Sequence, residues 1–177
     1  MSGCAEPPNK EMDLAQGAID AARAAGAEKY ATTEYSAATE ALKNSNDAVA
    51  ARDYRLALNY ALESHEHAQN AARDAADAKA RTRVEVDRAM GEITTLITQG
   101  RARLAAAERT RAPRGLLQQA ARDLTAAEAD LQKAGEAVAA EDYLAARATL
   151  EGVKKRVEAV FAAINDTPAG RAPQRRR

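Results

Sequence analysis

AVAARDY at residues 48–54 returns, with one residue changed, as AVAAEDY at residues 137–143. The phrase carries a helix end and a helix start together. Alanine and valine prolong one helix, and Asp53 then stands where an N-cap belongs, its carboxylate able to accept from an otherwise unpaired amide of the next turn. Tyr54 follows as the first large inward residue. Asp142 and Tyr143 repeat both roles, so Asp53 and Asp142 are read as structural caps at two equivalent helix–helix corners. At the same offset of 89 residues, YSAATEALKNSND (35–47) lies over LTAAEADLQKAGE (124–136). Ala37 and Ala38 match Ala126 and Ala127, and Leu42 matches Leu131. Nearly every apolar site is kept, which reads as a duplicated helical unit.

Composition leads the same way. The chain of 177 residues has 26 basic and 26 acidic side chains, so no global field recruits nucleic acid or an acidic membrane surface. Alanine is the commonest residue, while aromatics are 3%. Alanine is the strongest helix former but buries little apolar area, so long helices lying close over a thin core are expected. Branched and aromatic residues are too sparse and too unalternated for a sheet. No proline falls between Pro8 and Pro113, nor between Pro113 and Pro168, so both intervals are free to be helical. No apolar run approaches the ~20 residues that span a bilayer.

The punctuation predicts five helices. Asn9 is expected to cap the first, over 10–25, with Met12, Leu14 or Ala15, Ala18 or Ile19, and Ala22 on one face, ending near Gly26. The second covers 33–51 with Tyr35, Ala38, Leu42 and Val49 inward. The third starts at Asp53 and carries Tyr54, Leu58, Ala61, His65, Ala68, Ala72 and Ala75. Its apolar stripe lapses at Lys79 and Thr82 in KARTR (79–83) and resumes, rotated, at Val86, Met90, Ile93, Ile97, Gly100 and Leu104. Unbroken to Arg111, this helix has roughly 59 residues and a length of ~90 Å. Pro113 is expected as the first-turn residue of a fourth helix reaching Ala140. A fifth runs from Asp142 to just before Asn165-Asp166-Thr167-Pro168.

The fold class is therefore all-α. The five helices form two related three-helix units sharing a long central helix, in a spectrin-like plan, or alternatively one elongated antiparallel bundle. Residues 1–9 are an N-terminal tether, 10–80 the first unit, 81–166 the second, and 167–177 a disordered basic tail. The Asp-Tyr corner has a local likeness to the turn of tetratricopeptide repeats, but those recur every ~34 residues.

Little in the chain suggests chemistry. The two histidines, His65 and His67, stand two residues apart and point about 200° apart on a helix, so they cannot share a metal as i, i+4 histidines do. His65 is expected partly buried and His67 solvated; Glu63 with His67 makes at most a weak metal clip. There is no glycine-rich phosphate loop and no nucleophile with a base beside it. No catalytic residue, cofactor or metal is expected, and the chain reads as a non-enzyme. Arg175, Arg176 and Arg177 end the tail and suit a contact with an acidic surface.

Ser2-Gly3-Cys4 looks like the end of a bacterial lipobox, with a short Pro-containing tether from Ala5 to Lys10 before the helices. This reading expects lipidation at Cys4, and expects the basic and apolar parts of a signal peptide in the coding sequence upstream of Met1. From Asp13 to Ala72 the chain resembles the uncharacterised Ala-rich helical domain of Gram-negative lipoproteins. The likeness rests on Ala25-Gly26-Ala27, Tyr30-Ala31 and the Asp53-Tyr54 corner. The resemblance implies an envelope location and no enzymatic activity. The expected function is a lipid-anchored periplasmic scaffold, adaptor or spacer, attached to the outer membrane through Cys4 and presenting a helical face to a protein partner. A periplasmic carrier or chaperone for apolar cargo, or a cytoplasmic helical interaction protein, are the alternatives.

Overall fold

The computed structural model describes residues 6–166. Six helices and no strand lie among them: α1 Asn9–Ala24, α2 Ala27–Tyr30, α3 Thr32–Ala50, α4 Tyr54–Arg109, α5 Arg114–Ala139 and α6 Tyr143–Asn165. The chain is all-α. The sixth helix beyond the five expected is α2, a single turn that begins after Gly26, whose φ of 88° takes the left-handed conformation that ends α1. The chain divides into two compact units between Arg81 and Thr82, inside α4.

Both copies of the repeated phrase build the same helix ending. The Arg52 amide donates to the Val49 carbonyl (2.9 Å) and the Asp53 amide to the Ala48 carbonyl (2.9 Å), the paired bonds of a Schellman motif. In the second copy Glu141 donates to Val138 (3.0 Å) and Asp142 to Ala137 (2.9 Å). Arg52 and Glu141 sit at φ 60° and 58°, a conformation that costs a side-chain-bearing residue ~1–2 kcal/mol. The chain accepts this because the two bonds satisfy carbonyls that the helix end would otherwise leave open. The end of α4 repeats the device, with Arg111 at φ 54° donating to Glu108 and Ala112 to Ala107. That is why α4 stops at Arg109, short of the expected Arg111.

Two helix starts differ from expectation. Asn9 is not a cap: the Pro8 carbonyl accepts from the Met12 amide at 3.0 Å, so Asn9 already lies within the first turn and Pro8 is the N-cap. Pro113 is not a first-turn residue but the N-cap of α5, its ψ of 128° still extended.

The first unit has a core of small residues. Ile19 is the one large apolar side chain among its buried described residues; the others are alanines, joined by Ser45 and Ser64. The inward row of α4 is Ala57, Ala61, Ser64, Ala68, Ala71 and Ala75. Leu58, His65 and Ala72, expected inward, are half-buried on its flank, as are Leu42 and Val49 beside the Ala38, Ala41, Ser45 and Ala48 row of α3. Leu14 of α1 is 52% exposed, whereas its neighbour Ala15 is buried. Along α3 and α4 the centre of the seam is given to methyl and hydroxymethyl groups, and the larger side chains of these two helices lie at its edges.

The second unit is built on volume. Val86, Ile93, Ile97 and Leu104 of α4 form one continuous core with Leu124 of α5 and with Leu150, Val153, Val157, Val160 and Ile164 of α6. Tyr143 is buried at its corner. The inward row of α4 steps by four from Thr82 to Val86, then runs through Ile93, Ile97, Gly100 and Leu104 at the spacing of heptads. Gly100 marks a close approach: a Cβ there would lie 2.7 Å from a Leu124 methyl and 3.3 Å from the Phe161 ring.

Candidate functional site

The polar side chains with long-range partners are gathered where helices meet. In the first unit two buried serines each tie one helix to the backbone of another. Ser45 of α3 donates to the Ala57 carbonyl of α4 at 2.8 Å, and Ser64 of α4 donates to the Ala38 carbonyl of α3 at 2.8 Å. Each hydroxyl would be costly to bury alone, and each is satisfied by a carbonyl that already accepts within its helix.

One turn beyond Ser64, the α3–α4 seam carries a titratable group. His67 Nδ1 lies 2.8 Å from Glu34 Oε2, and Nε2 lies 3.8 Å from Glu63 Oε1. The hydrogen bond to Glu34 raises the His67 pKa above its ordinary value, partly offset by burial, with the Glu34, Glu63 and Glu66 charges adding to the rise. His67 is therefore a paired, half-buried residue and not the solvated one expected from sequence. His65 faces α1, with Nδ1 3.3 Å from the Leu14 carbonyl and Nε2 2.8 Å from the Gln69 amide nitrogen. The two rings do not share a site, and among the described residues no group of three or more His, Cys, Asp or Glu is placed to hold a metal.

At the turn between α1 and α3, Glu28 accepts from Arg23 Nε (3.0 Å) and from the Tyr35 hydroxyl (3.1 Å). The Arg23 bond, then the Tyr35 bond, holds the Glu28 carboxyl below its usual range. This cluster is exposed and fastens the turn around Gly26.

In the second unit the seam contacts are charge pairs. Arg101 of α4 grips Glu128 of α5 with two bonds, 3.0 and 2.6 Å, a fork geometry that fixes orientation as well as distance. Glu128 is lowered chiefly by that hydrogen bond. Asp130 of α5 accepts from Lys133 at 2.8 Å and from Arg156 of α6 at 2.5 Å, and these bonds, Lys133 first, depress its pKa. Arg103 of α4 lies over the Phe161 ring at 4.3 Å. Two grooves open between these helices. One, of about 560 Å³, is lined by Met90, Ile97, Leu131 and Gly135 together with the polar Thr94, Thr98, Glu128 and Gln132. The other, of about 340 Å³, lies between α5 and α6 beside Leu116, Asp123 and Val160.

Asp53 and Asp142 sit at the corners. Asp53 Oδ1 accepts from the Leu56 amide at 3.0 Å and Asp142 Oδ1 from the Ala145 amide at 3.2 Å, each three residues into the next helix. Cys4 and Arg175, Arg176 and Arg177 lie outside the described residues. Sequence reasoning missed Ser45 and Ser64, although both fall on the four-and-three spacing of the alanine rows. It also missed Glu34 as the partner of His67, since nothing local joins residues 33 apart.

No described helix is long and apolar enough to cross a membrane. Residues 10–86, somewhat less than half the chain, match the family described as a domain of unknown function (DUF4398). No curated protein and no solved structure matches the chain.

Proposed function

We propose that this chain is a non-catalytic helical scaffold or adaptor of the bacterial envelope, held at the outer membrane by a lipid on Cys4 and offering its helix faces to a protein partner in the periplasm. The observation that carries this reading is the employment of the polar residues. Ser45, Ser64, His67, Arg101 and Arg156 each join one helix to another, which suits a body whose task is to hold a surface in place. The membrane attachment is supported by Ser2-Gly3-Cys4 and the short tether before α1, and by the resemblance of residues 13–72 to a domain of Gram-negative lipoproteins. The basic end, Arg175 to Arg177, suits an additional contact with an acidic surface.

Intact-mass analysis of the protein from the native membrane fraction tests this directly. A diacyl or triacyl Cys4 at the mature N-terminus is expected, with Met1 to Gly3 removed, and Cys4→Ser should move the protein to the soluble fraction. An unmodified N-terminus on protein found in the cytoplasm would overturn the location.

A second reading is favoured by the groove of about 560 Å³ between α4 and α5, whose Met90, Ile97 and Leu131 suit an apolar ligand. On that reading the chain carries apolar cargo. Titration with a fluorescent fatty acid separates the two: the scaffold predicts no saturable binding, and saturable binding abolished by Leu131→Glu would favour the carrier.

A further inference from the structure

His67 stands between helices and between carboxylates. From α3, Glu34 approaches Nδ1 at 2.8 Å; from α4 itself, Glu63 faces Nε2 at 3.8 Å, and Glu66 adds a third negative charge next in the chain. From α1, the Leu14 carbonyl meets the neighbouring His65, and the apolar Ile19 packs with Ala38 and Ala68. Both members of the inter-helix pair are about a third exposed, so protons reach them freely.

We propose that His67 is a proton-operated clasp between α3 and α4, closed when its ring is charged and slack when it is neutral, and that it gives the first unit a response to pH which the second lacks. A neutral imidazole has a single N–H. Glu34 takes it at Nδ1, which leaves the Nε2 lone pair turned to the Glu63 carboxylate, acceptor against acceptor. A second proton makes both nitrogens donors, so the ring holds Glu34 across the seam and turns its other N–H to Glu63. The positive charge also offsets three carboxylates that otherwise repel one another.

The surroundings make the clasp count. The buried rows of α3 and α4 along this seam are alanine and serine, and the larger Tyr35 and Leu42 pack only at its edge. The second unit has a fixed-charge tie at the matching place on its last helix. The residue 89 positions beyond His67 is Arg156, which binds Asp130 on α5, while the counterpart of Glu34 is Asp123. Arginine does not lose its charge in any accessible pH range, so that tie is constant until its carboxylate protonates.

Linkage sets the direction. The folded pKa of His67 lies above that of the unfolded chain, about 6.5. The added stability is therefore full below the unfolded value and disappears as pH rises through the folded one.

The test is an imidazole NMR titration of the full chain from acid to mildly alkaline pH, with His65→Gln to assign the two rings. The expected result is a His67 midpoint above 6.5 that Glu34→Gln brings back down. Hydrogen exchange in the same range, corrected for intrinsic base catalysis, should show protection around Ser64 and Ala68 falling as His67 deprotonates while protection around Val153 and Val157 holds. His67→Arg should retain first-unit protection and erase its pH dependence. A His67 midpoint at or below 6.5, a midpoint unmoved by Glu34→Gln, or equal pH dependence in both units would each overturn the proposal.

Discussion

Two rows of buried side chains lie 89 residues apart and are filled differently. In the first unit the row on α4 reads Ala57, Ala61, Ser64, Ala68, Ala71 and Ala75; in the second the row on α6 reads Ala146, Leu150, Val153, Val157, Val160 and Ile164. All twelve positions are buried, and the corner before each row has the same hydrogen bonds and the same aspartate. The same corner and the row of buried positions behind it are thus supported in two ways. Where the residues are small, helices approach until backbone and methyl groups touch, and serine hydroxyls bond across the seam. Where they are large, the gap is filled by side-chain volume whose removal from water stabilises the unit at roughly 25 cal/mol per Å². Each arrangement is fragile in the direction the other tolerates.

The largest effect should come from emptying the second row. Leu150→Ala, which writes the first unit's residue into the second, is expected to cost about 2–5 kcal/mol by the loss of buried surface and the cavity left behind. Denaturant unfolding monitored by a probe in α6 measures it. A cost below about 1 kcal/mol would mean that the second unit closes up as readily as the first and would remove the distinction.

The corners should behave alike despite the different rows. Asp53→Ala and Asp142→Ala each lose a hydrogen bond to the amide three residues on, and each is expected to cost about 0.5–2 kcal/mol with the fold kept. Thermal melts of the two variants would sharpen the comparison. Very unequal losses would show that the row behind the corner, and not the cap, determines what the aspartate contributes.

The smallest effect has the opposite sign. Arg52 and Glu141 hold left-handed backbone that glycine adopts without strain. Arg52→Gly and Glu141→Gly should raise stability by up to about 1 kcal/mol, the relief of the left-handed penalty less the entropy glycine loses on folding. A valine at either position should destabilise instead, since a β-branched side chain fits that conformation poorly.

How much of this was legible in the sequence depended on the kind of signal. The corners could be read because Asp-Tyr recurs at one phase after a matching alanine run, and cap chemistry is local. The inward rows could not be fixed to the residue. On α4 the pairs 57/58 and 64/65 are neighbours on the helix, and counting in steps of four and three from Tyr54 selects Leu58 and His65 over Ala57 and Ser64. Burial was decided by inter-helix distance, which favours the smaller member. The single turn of α2 was hidden because Gly26 marks the end of one helix and carries no signal for the start of another. Of the candidate site, the histidines were visible and their environment was not: Glu34 reaches His67 only once α3 and α4 have packed. The helix starts at Asn9 and Pro113 were each off by one residue, since a proline can serve as N-cap as well as first-turn residue.

The claim that the first unit is held by closeness is tested most directly by Ala61→Leu, which writes the second unit's residue into the first. Hydrogen exchange at Ser64, Ala68 and Ala71, read against Val153 and Val157 in the same sample, reports each unit separately. Overpacking a full seam costs about 1–3 kcal/mol, so the account predicts a loss of protection corresponding to that cost in the first unit and no change in the second. Protection that stays the same or rises at Ser64 and Ala68 would show that the alanine seam had room for a leucine, and would contradict it.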